Sequence, residues 1–300
     1  MNKSFNSANV KNLNRRDFIK LSAYSLLGAS LAIVGISYVT NIEPSNIEIT
    51  HINLKLPNLD RSFNGFRLAQ VSDFHLDHWM TSQRLESIFQ MVLGEKPDLV
   101  AITGDFITYH EHTKGLKNPF LTDLSSALSI LSPHQPTLGV LGNHDHEIGA
   151  PLIHDALANG HITDLSDSVY SIKQGSSSLH FAGMDSFDMY GRAIYDFNGL
   201  VNKTPSTGAA ILLTHYPDLA DQTAATGRFD LQISGHSHGG QVIAPFYGPI
   251  YIPEGARKYP IGLYRIGSMF HYTNRGLGMV GIEVRINCRP EITIFHLQSS

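Results

Sequence analysis

Asp, Asn and His side chains, the oxygen and nitrogen donors of metal sites, fall in five short segments of this chain. These are Asp73-Phe74-His75, Gly104-Asp105, Gly142-Asn143-His144-Asp145, Thr214-His215 and Gly235-His236-Ser237-His238-Gly239. Each follows a run that reads as a buried β-strand: Phe66 to Val71, Leu99 to Ile102, Thr137 to Leu141, Ala209 to Leu213 and Leu231 to Ser234. In open α/β sheets, ligands bind outside the carboxyl ends of the strands. Taken singly, each residue has an ordinary explanation as a turn residue, a helix cap or a surface histidine. Their joint, ordered occurrence at strand ends points to one site built for metal.

Carboxylate with imidazole suits borderline divalent ions such as manganese, iron and zinc, and no thiolate takes part in the motifs. A catalytic zinc takes about three protein ligands, and the donors here are too many for one ion. They suit two ions roughly 4 Å apart sharing a bridging carboxylate, a frequent arrangement in phosphoryl transfer. The glycines at 104, 142 and 235 fit tight strand-end turns.

The ordered pattern D-x-H, G-D, G-N-H-[DE], H, G-H-x-H resembles that of the calcineurin-like metallophosphoesterases, and it is complete between Asp73 and Gly239. Gly235 to Gln241 and Arg275-Gly276-Leu277-Gly278 resemble an exported bacterial phosphodiesterase branch of that superfamily. The resemblance implies a four-layer α/β/β/α sandwich of two packed mixed β-sheets flanked by helices. It implies that Asp73, His75 and His238 hold one ion, that Asn143, His215 and His236 hold the other, and that Asp105 bridges them. Manganese is the expected metal, with iron or zinc as alternatives. His144 would stand beside the pair as a proton donor, oriented by Asp145. His78, His110, His112 and His146 lie near the motifs, but nothing in the spacing requires them to bind metal.

Composition is that of an ordinary globular protein with a sizeable core: 42% apolar and 16% charged residues. A net charge of −4 carries no basic footprint, so no nucleic acid is expected as a partner. The single cysteine excludes an internal disulfide framework. Ahead of the motifs, Arg15-Arg16-Asp17-Phe18 precedes an uncharged stretch from Leu21 to Val39. This resembles a twin-arginine export signal, implying the corresponding export machinery and a periplasmic or membrane-associated protein. Gly35-Ile36-Ser37 offers small residues for cleavage after Ser37, while the stretch is also about as long as the ~20 residues a bilayer span needs. Residues 1–40 are therefore expected to be a signal peptide or membrane anchor, and residues 41–300 the catalytic domain.

The elements that must position the site follow from periodicity. Ile47, Ile49, Ile52, Leu54 and Leu56 read as edge-strand material. Leu85, Ile88, Phe89 and Val92 recur at helical spacing, with Thr81 or Ser82 as cap and Pro97 beyond the end. Leu124, Ala127, Leu128 and Leu131 repeat that pattern, and Pro151 suits the first turn of a third helix. Past residue 160 the chain turns strand-rich, with a glycine-led two-residue turn at Gly267-Ser268 and a second hairpin expected from Val280–Ile286 and Glu291–His296.

The chemistry implied is hydrolysis of a phosphodiester or pyrophosphate bond, with two ions acidifying a water and taking up phosphoryl charge. Arg275 is a candidate phosphate contact, since its planar fork suits phosphate oxygens. Trp79, beside Met80 and four residues after His75, is a candidate substrate contact. Segments 76–80, 106–120, 187–195 and 246–252 are expected to rim the site, and their clustered aromatics point toward a membrane surface and a lipid-linked substrate such as UDP-2,3-diacylglucosamine. The alternatives are a phosphomonoesterase or phosphoprotein phosphatase with the same site, or a non-enzymatic metal-binding scaffold. A zinc protease or serine hydrolase is disfavoured, because neither His-Glu-x-x-His nor Gly-x-Ser-x-Gly occurs.

Overall fold

Side chains alternate across a strand, so a run that is apolar at every position must be covered on both faces. The strands after which the motifs fall are of this kind. In β2 (Phe66–Val71), Phe66 and Leu68 face one core, while Ala69 and Val71 face another. The computed structural model, which describes residues 14–109, 119–185 and 196–300, resolves this into four layers.

Among the described residues the first elements are α1 (Arg15–Ser37), a π-helical turn (Tyr38–Ile42) and the short α2 (Glu43–Ser45), followed by β1 (Glu48–Leu56) and β2. Next come α3 (Ser82–Gly94), β3 (Leu99–Thr103), α4 (Phe120–Leu128), β4 (Thr137–Val140), α5 (Asn143–Ile148), α6 (Ala150–Asn159) and β5 (Thr163–Asp164). The second half holds β6 (Ser168–Gln174), β7 (Ser177–Met184), α7 (Phe197–Lys203), β8 (Ala209–Thr214), α8 (Ala220–Ala225) and β9 (Leu231–Ser234). It closes with β10 (Ile243–Ala244), β11 (Gly248–Pro249), β12 (Gly262–Ile266), β13 (Met269–Thr273) and β14 (Glu291–Ser299).

One six-stranded sheet runs β1-β14-β2-β3-β4-β5 and the other β12-β13-β9-β8-β7-β6. Both are mixed. β2, β3 and β4 are parallel, as are β7, β8 and β9, so the motif-bearing ends of each set point the same way. Between the sheets lies an apolar core including Leu68, Leu99, Leu138 and Phe295 from the first and Phe181, Ile211, Leu213 and Ile233 from the second. The outer face of the first sheet packs on α3, α4 and α6, and that of the second on α7 and α8. This is the expected sandwich.

Local expectations fare unevenly. Thr81 caps α3 through its side chain, and Gly267-Ser268 is the two-residue turn of the β12–β13 hairpin. Val280–Ile286, however, is not a strand. β14 instead pairs with β1 in parallel and with β2 antiparallel. The 280–286 segment runs as a bend whose one β-bridge is Ile286 to Val242. The fully buried guanidinium of Arg285 explains its path, since it is spent on the carbonyls of Arg275, Gly276, Gly278 and Cys288. The same segment receives the foot of the N-terminal helix: Arg285 N–H donates to the Val39 carbonyl and Cys288 N–H to the Glu43 carboxylate.

Phe295 fills the inter-sheet core with no exposed surface. Phe295→Ala should lower the unfolding free energy by about 3–5 kcal/mol, read from urea denaturation followed by circular dichroism.

Candidate metal centre

The motif-bearing strand ends of the two sheets meet over a polar floor. The Gln70 amide donates to the Thr103 hydroxyl and the Ser234 carbonyl, and Thr103 in turn donates to the Ser72 hydroxyl, all fully buried. Above it the chain crosses between strand ends: Asp73 N–H donates to the Gly104 carbonyl and His75 N–H to that of Asp105. Asp73, His75, Asp105, His236 and His238 all hold left-handed φ angles, between 48° and 69°. Such angles are uncommon outside glycine, and they cluster at functional sites.

The donors so placed form contiguous groups. Asp73, His75 and His238 lie within ligand distance of one another, and so do Asp105, His215 and His236. Asp105 stands between them, its Oδ2 3.4 Å from His75 Nε2 and 3.2 Å from His215 Nε2. A third grouping joins His144 to His75 and Asp105. The Asn143 side-chain oxygen is buried without a hydrogen-bond partner. All seven sequence-derived metal candidates and His144 are therefore brought to one place.

Ring orientation is fixed from behind for two histidines. His215 Nδ1 sits 2.7 Å from the Thr103 carbonyl and His236 Nε2 2.8 Å from that of Glu254, so the other nitrogen of each ring faces inward. His75 and His238 set their Nε2 atoms 3.0 Å apart. Burial pushes His75 and His236 down to about 3 and His238 well below its ordinary value. Burial likewise pushes the Asp73 carboxyl up to about 7. Burial opposes charge on His215 too, yet the adjacent Asp105 carboxylate holds it up at about 9, and His215 keeps Asp105 well below the carboxylate range. Imidazoles that burial keeps neutral, two buried carboxylates and an unmet amide oxygen all turn inward. Divalent metal fits that donor set.

His144 lies differently. Its backbone N–H donates to Asp105 Oδ1, and its Nδ1 accepts the Tyr109 N–H at 3.2 Å. In the neutral ring the proton is therefore on Nε2. Asp145 does not touch that ring, which corrects its expected role. The Asp145 carboxylate accepts the backbone N–H groups of Asp105, Phe106 and Gly142 at 2.8–2.9 Å, so it holds the loop carrying Asp105 rather than the imidazole. Gly142 has no alternative residue there, because a Cβ would collide with the Asp105 backbone and carboxylate.

Two further expectations are corrected. Arg275 does not face the cavity: its guanidinium is committed to Glu291 at 3.1 Å and Glu48 at 2.9 Å. Trp79 lies outside the cavity as well. It packs on the first-sheet core with Arg84 stacked over its ring at 3.9 Å, and Met80 beside it is buried. His110, His112 and the expected rim residues of 187–195 lie outside the described residues. The site opens into a cavity of about 590 Å³. Its lining includes Asp105, Asn143, His144, His236 and His238 together with an apolar set, Val242, Ile250, Tyr251, Pro253, Val280 and Ile282. Of the expected 246–252 rim, Ile250 and Tyr251 line the cavity and Phe246 and Tyr247 do not, while 280–282 was missed because it reads as a strand. Arg285 was missed too, since an arginine between Val284 and Ile286 reads as a solvent-facing strand position.

The family model that matches this chain is that of the calcineurin-like phosphoesterases, over residues 66–240. An uncharacterized metallophosphoesterase of Bacillus subtilis, YkuE, is 34% identical over 97% of this chain and 100% of its own length. The phosphodiesterase YaeI of Escherichia coli is 26% identical over 95% of this chain and 99% of its own. The UDP-2,3-diacylglucosamine pyrophosphatase LpxG of Chlamydia trachomatis is 25% identical over 92% and 98%.

Removing the Asp145 carboxylate strands three buried N–H groups, each costing about 1–3 kcal/mol. Asp145→Ala should therefore lower stability by about 3 kcal/mol or more in urea unfolding and reduce bound metal in elemental analysis.

Proposed function

The chain belongs to the calcineurin-like phosphoesterase family, and on that premise we propose that it hydrolyses a phosphodiester or pyrophosphate bond of a lipid-linked envelope substrate, using two divalent ions. It is a metal-dependent phosphoesterase; the ion pair, its ligands and the substrate are our reading. The observation that carries it is the Asp105 carboxylate lying between two groups of inward-facing imidazole nitrogens. Asp73, His75 and His238 would hold one ion and Asn143, His215 and His236 the other, with Asp105 shared. Manganese is the metal proposed, with iron or zinc as alternatives.

When bound, such ions supply Lewis acidity toward a water and toward the phosphoryl oxygens. The chain does the rest by positioning. Thr103 and Glu254 carbonyls fix two imidazoles, and Asp145 fixes the loop of Asp105. His144 is oriented by the Tyr109 N–H so that Nε2 is the atom able to hand a proton to the leaving oxygen.

The apolar part of the cavity lining supports an acylated substrate, as does similarity to a protein named a UDP-2,3-diacylglucosamine pyrophosphatase. We also propose that residues 1–40 direct export through the twin-arginine machinery and leave the protein periplasmic or membrane-associated. Supporting this, Arg15–Ser45 is helical, near the N-terminus, and long and apolar enough to cross a membrane.

The metal-loaded protein should hydrolyse bis-para-nitrophenyl phosphate faster than para-nitrophenyl phosphate; the reverse order would favour a phosphomonoesterase. Asp105→Ala should lose metal at both positions by elemental analysis. His144→Ala should keep it while turnover falls by about 10²–10⁴-fold, as for loss of a general acid; a metal-free His144→Ala protein would make His144 a ligand. Replacing Arg15 and Arg16 by lysine should retain the folded protein in the cytoplasm, read by cell fractionation.

A further inference from the structure

The apolar lining of the cavity continues onto the surface. β10 and β11 form a two-stranded ribbon, and Phe246 and Tyr247 in its connection are 111% and 81% exposed, with Ile250 and Tyr251 also exposed. From Gln241 to Pro253 no residue is charged. Phe246 holds a φ of 65°, a conformation unfavourable for a bulky side chain, and it faces outward without cover. A two-stranded ribbon is marginal in water, and exposed apolar clusters of this kind mark an interaction surface.

What covers it is indicated by its root. Ile286 pairs with the ribbon base, its carbonyl accepting Ile243 N–H and its N–H donating to the Gln241 carbonyl. The preceding residue, Arg285, donates its N–H to Val39 at the foot of the N-terminal helix, and Cys288 donates to Glu43. The ribbon and the helix therefore leave the domain from neighbouring residues of one short segment. The other end of that segment, Val280 to Ile282, lines the cavity. No residue of α1 is buried in the domain, and the helix is long and apolar enough to cross a bilayer. Aromatic side chains with polar tips settle at the membrane–water interface.

We propose that the β10–β11 ribbon is a second membrane contact, in which Phe246 and Tyr247 enter the interface of the bilayer occupied by α1 and hold the cavity mouth against the lipid surface. This rests on the reading of the substrate as lipid-linked. It adds the face by which that substrate enters: the acyl chains pass along the uncharged residues and the phosphoester reaches the donors of the same cavity.

Trp79 is the only tryptophan, so Trp79→Phe makes the full chain a blank for reporters. In that background Phe246→Trp, reconstituted in phosphatidylcholine–phosphatidylglycerol vesicles, should be quenched by lipids brominated high in the acyl chain. Lys173→Trp, on the far-edge strand β6, should not be. An unquenched reporter at 246, or equal quenching at both positions, overturns the proposal, including the case where a second protein covers the ribbon. Phe246→Ser with Tyr247→Ser should cut hydrolysis of vesicle-borne para-nitrophenyl phosphatidate by about tenfold and leave bis-para-nitrophenyl phosphate turnover unchanged. Equal loss on both overturns it too. Absence of turnover on either ester by the unsubstituted protein would instead refute the phosphodiesterase reading, while quenching at 246 still decides the membrane contact.

Discussion

The Asp105 carboxylate occupies the seam where the two sheets present their strand ends, and it touches both donor groups and the His144 loop. One oxygen accepts the His144 N–H, and the other faces an imidazole from each donor group. Its backbone N–H is held by Asp145 and its carbonyl by His75. A buried carboxylate is tolerable only when hydrogen-bonded or paired with cations. The four loops around it are thus obliged to converge, and the inter-sheet core sets how closely they do so.

That convergence has a conformational cost. Five of the seven candidate ligands hold left-handed φ angles, each costing on the order of 1–3 kcal/mol for a residue with a side chain. Hydrogen bonds between loops offset it. Leu277 and Gly278 donate to Ser72 and Asp73 carbonyls, and His236 N–H donates to the Asp73 carboxylate. The 275–278 loop can serve because Arg285 gathers its carbonyls from beneath. A buried cation so removed from the chemistry still fixes the backbone on which Asp73 is mounted.

Much of this architecture was legible in the chain because the relevant signals are local. The apolar runs ending in Asp, Asn and His mark strands covered on both faces, and Thr81 and Gly267 announce their helix and turn. Non-local choices were not legible. Nothing in Glu291 to Ser299 says that β14 will insert between β1 and β2, or that Val280 to Ile286 will bend to bury an arginine. Asp145 follows His144 directly, which suggests a partner for the ring. On a helical first turn, however, adjacent side chains diverge, and its carboxylate meets the backbone of the neighbouring loop. Trp79 is near His75 in sequence yet packs over Arg84, away from the cavity. Proximity along the chain was the misleading cue in both cases.

The joint between the N-terminal helix and the domain lies at Val39 and Glu43, just past the small residues Gly35-Ile36-Ser37. A cut after Ser37 would spare both hydrogen bonds, along with the Arg84–Ser45 contact behind them. The released form and the tethered form would then share one intact donor cluster. A single peptide bond thus separates the apolar helix from the domain without altering the pocket that the domain carries.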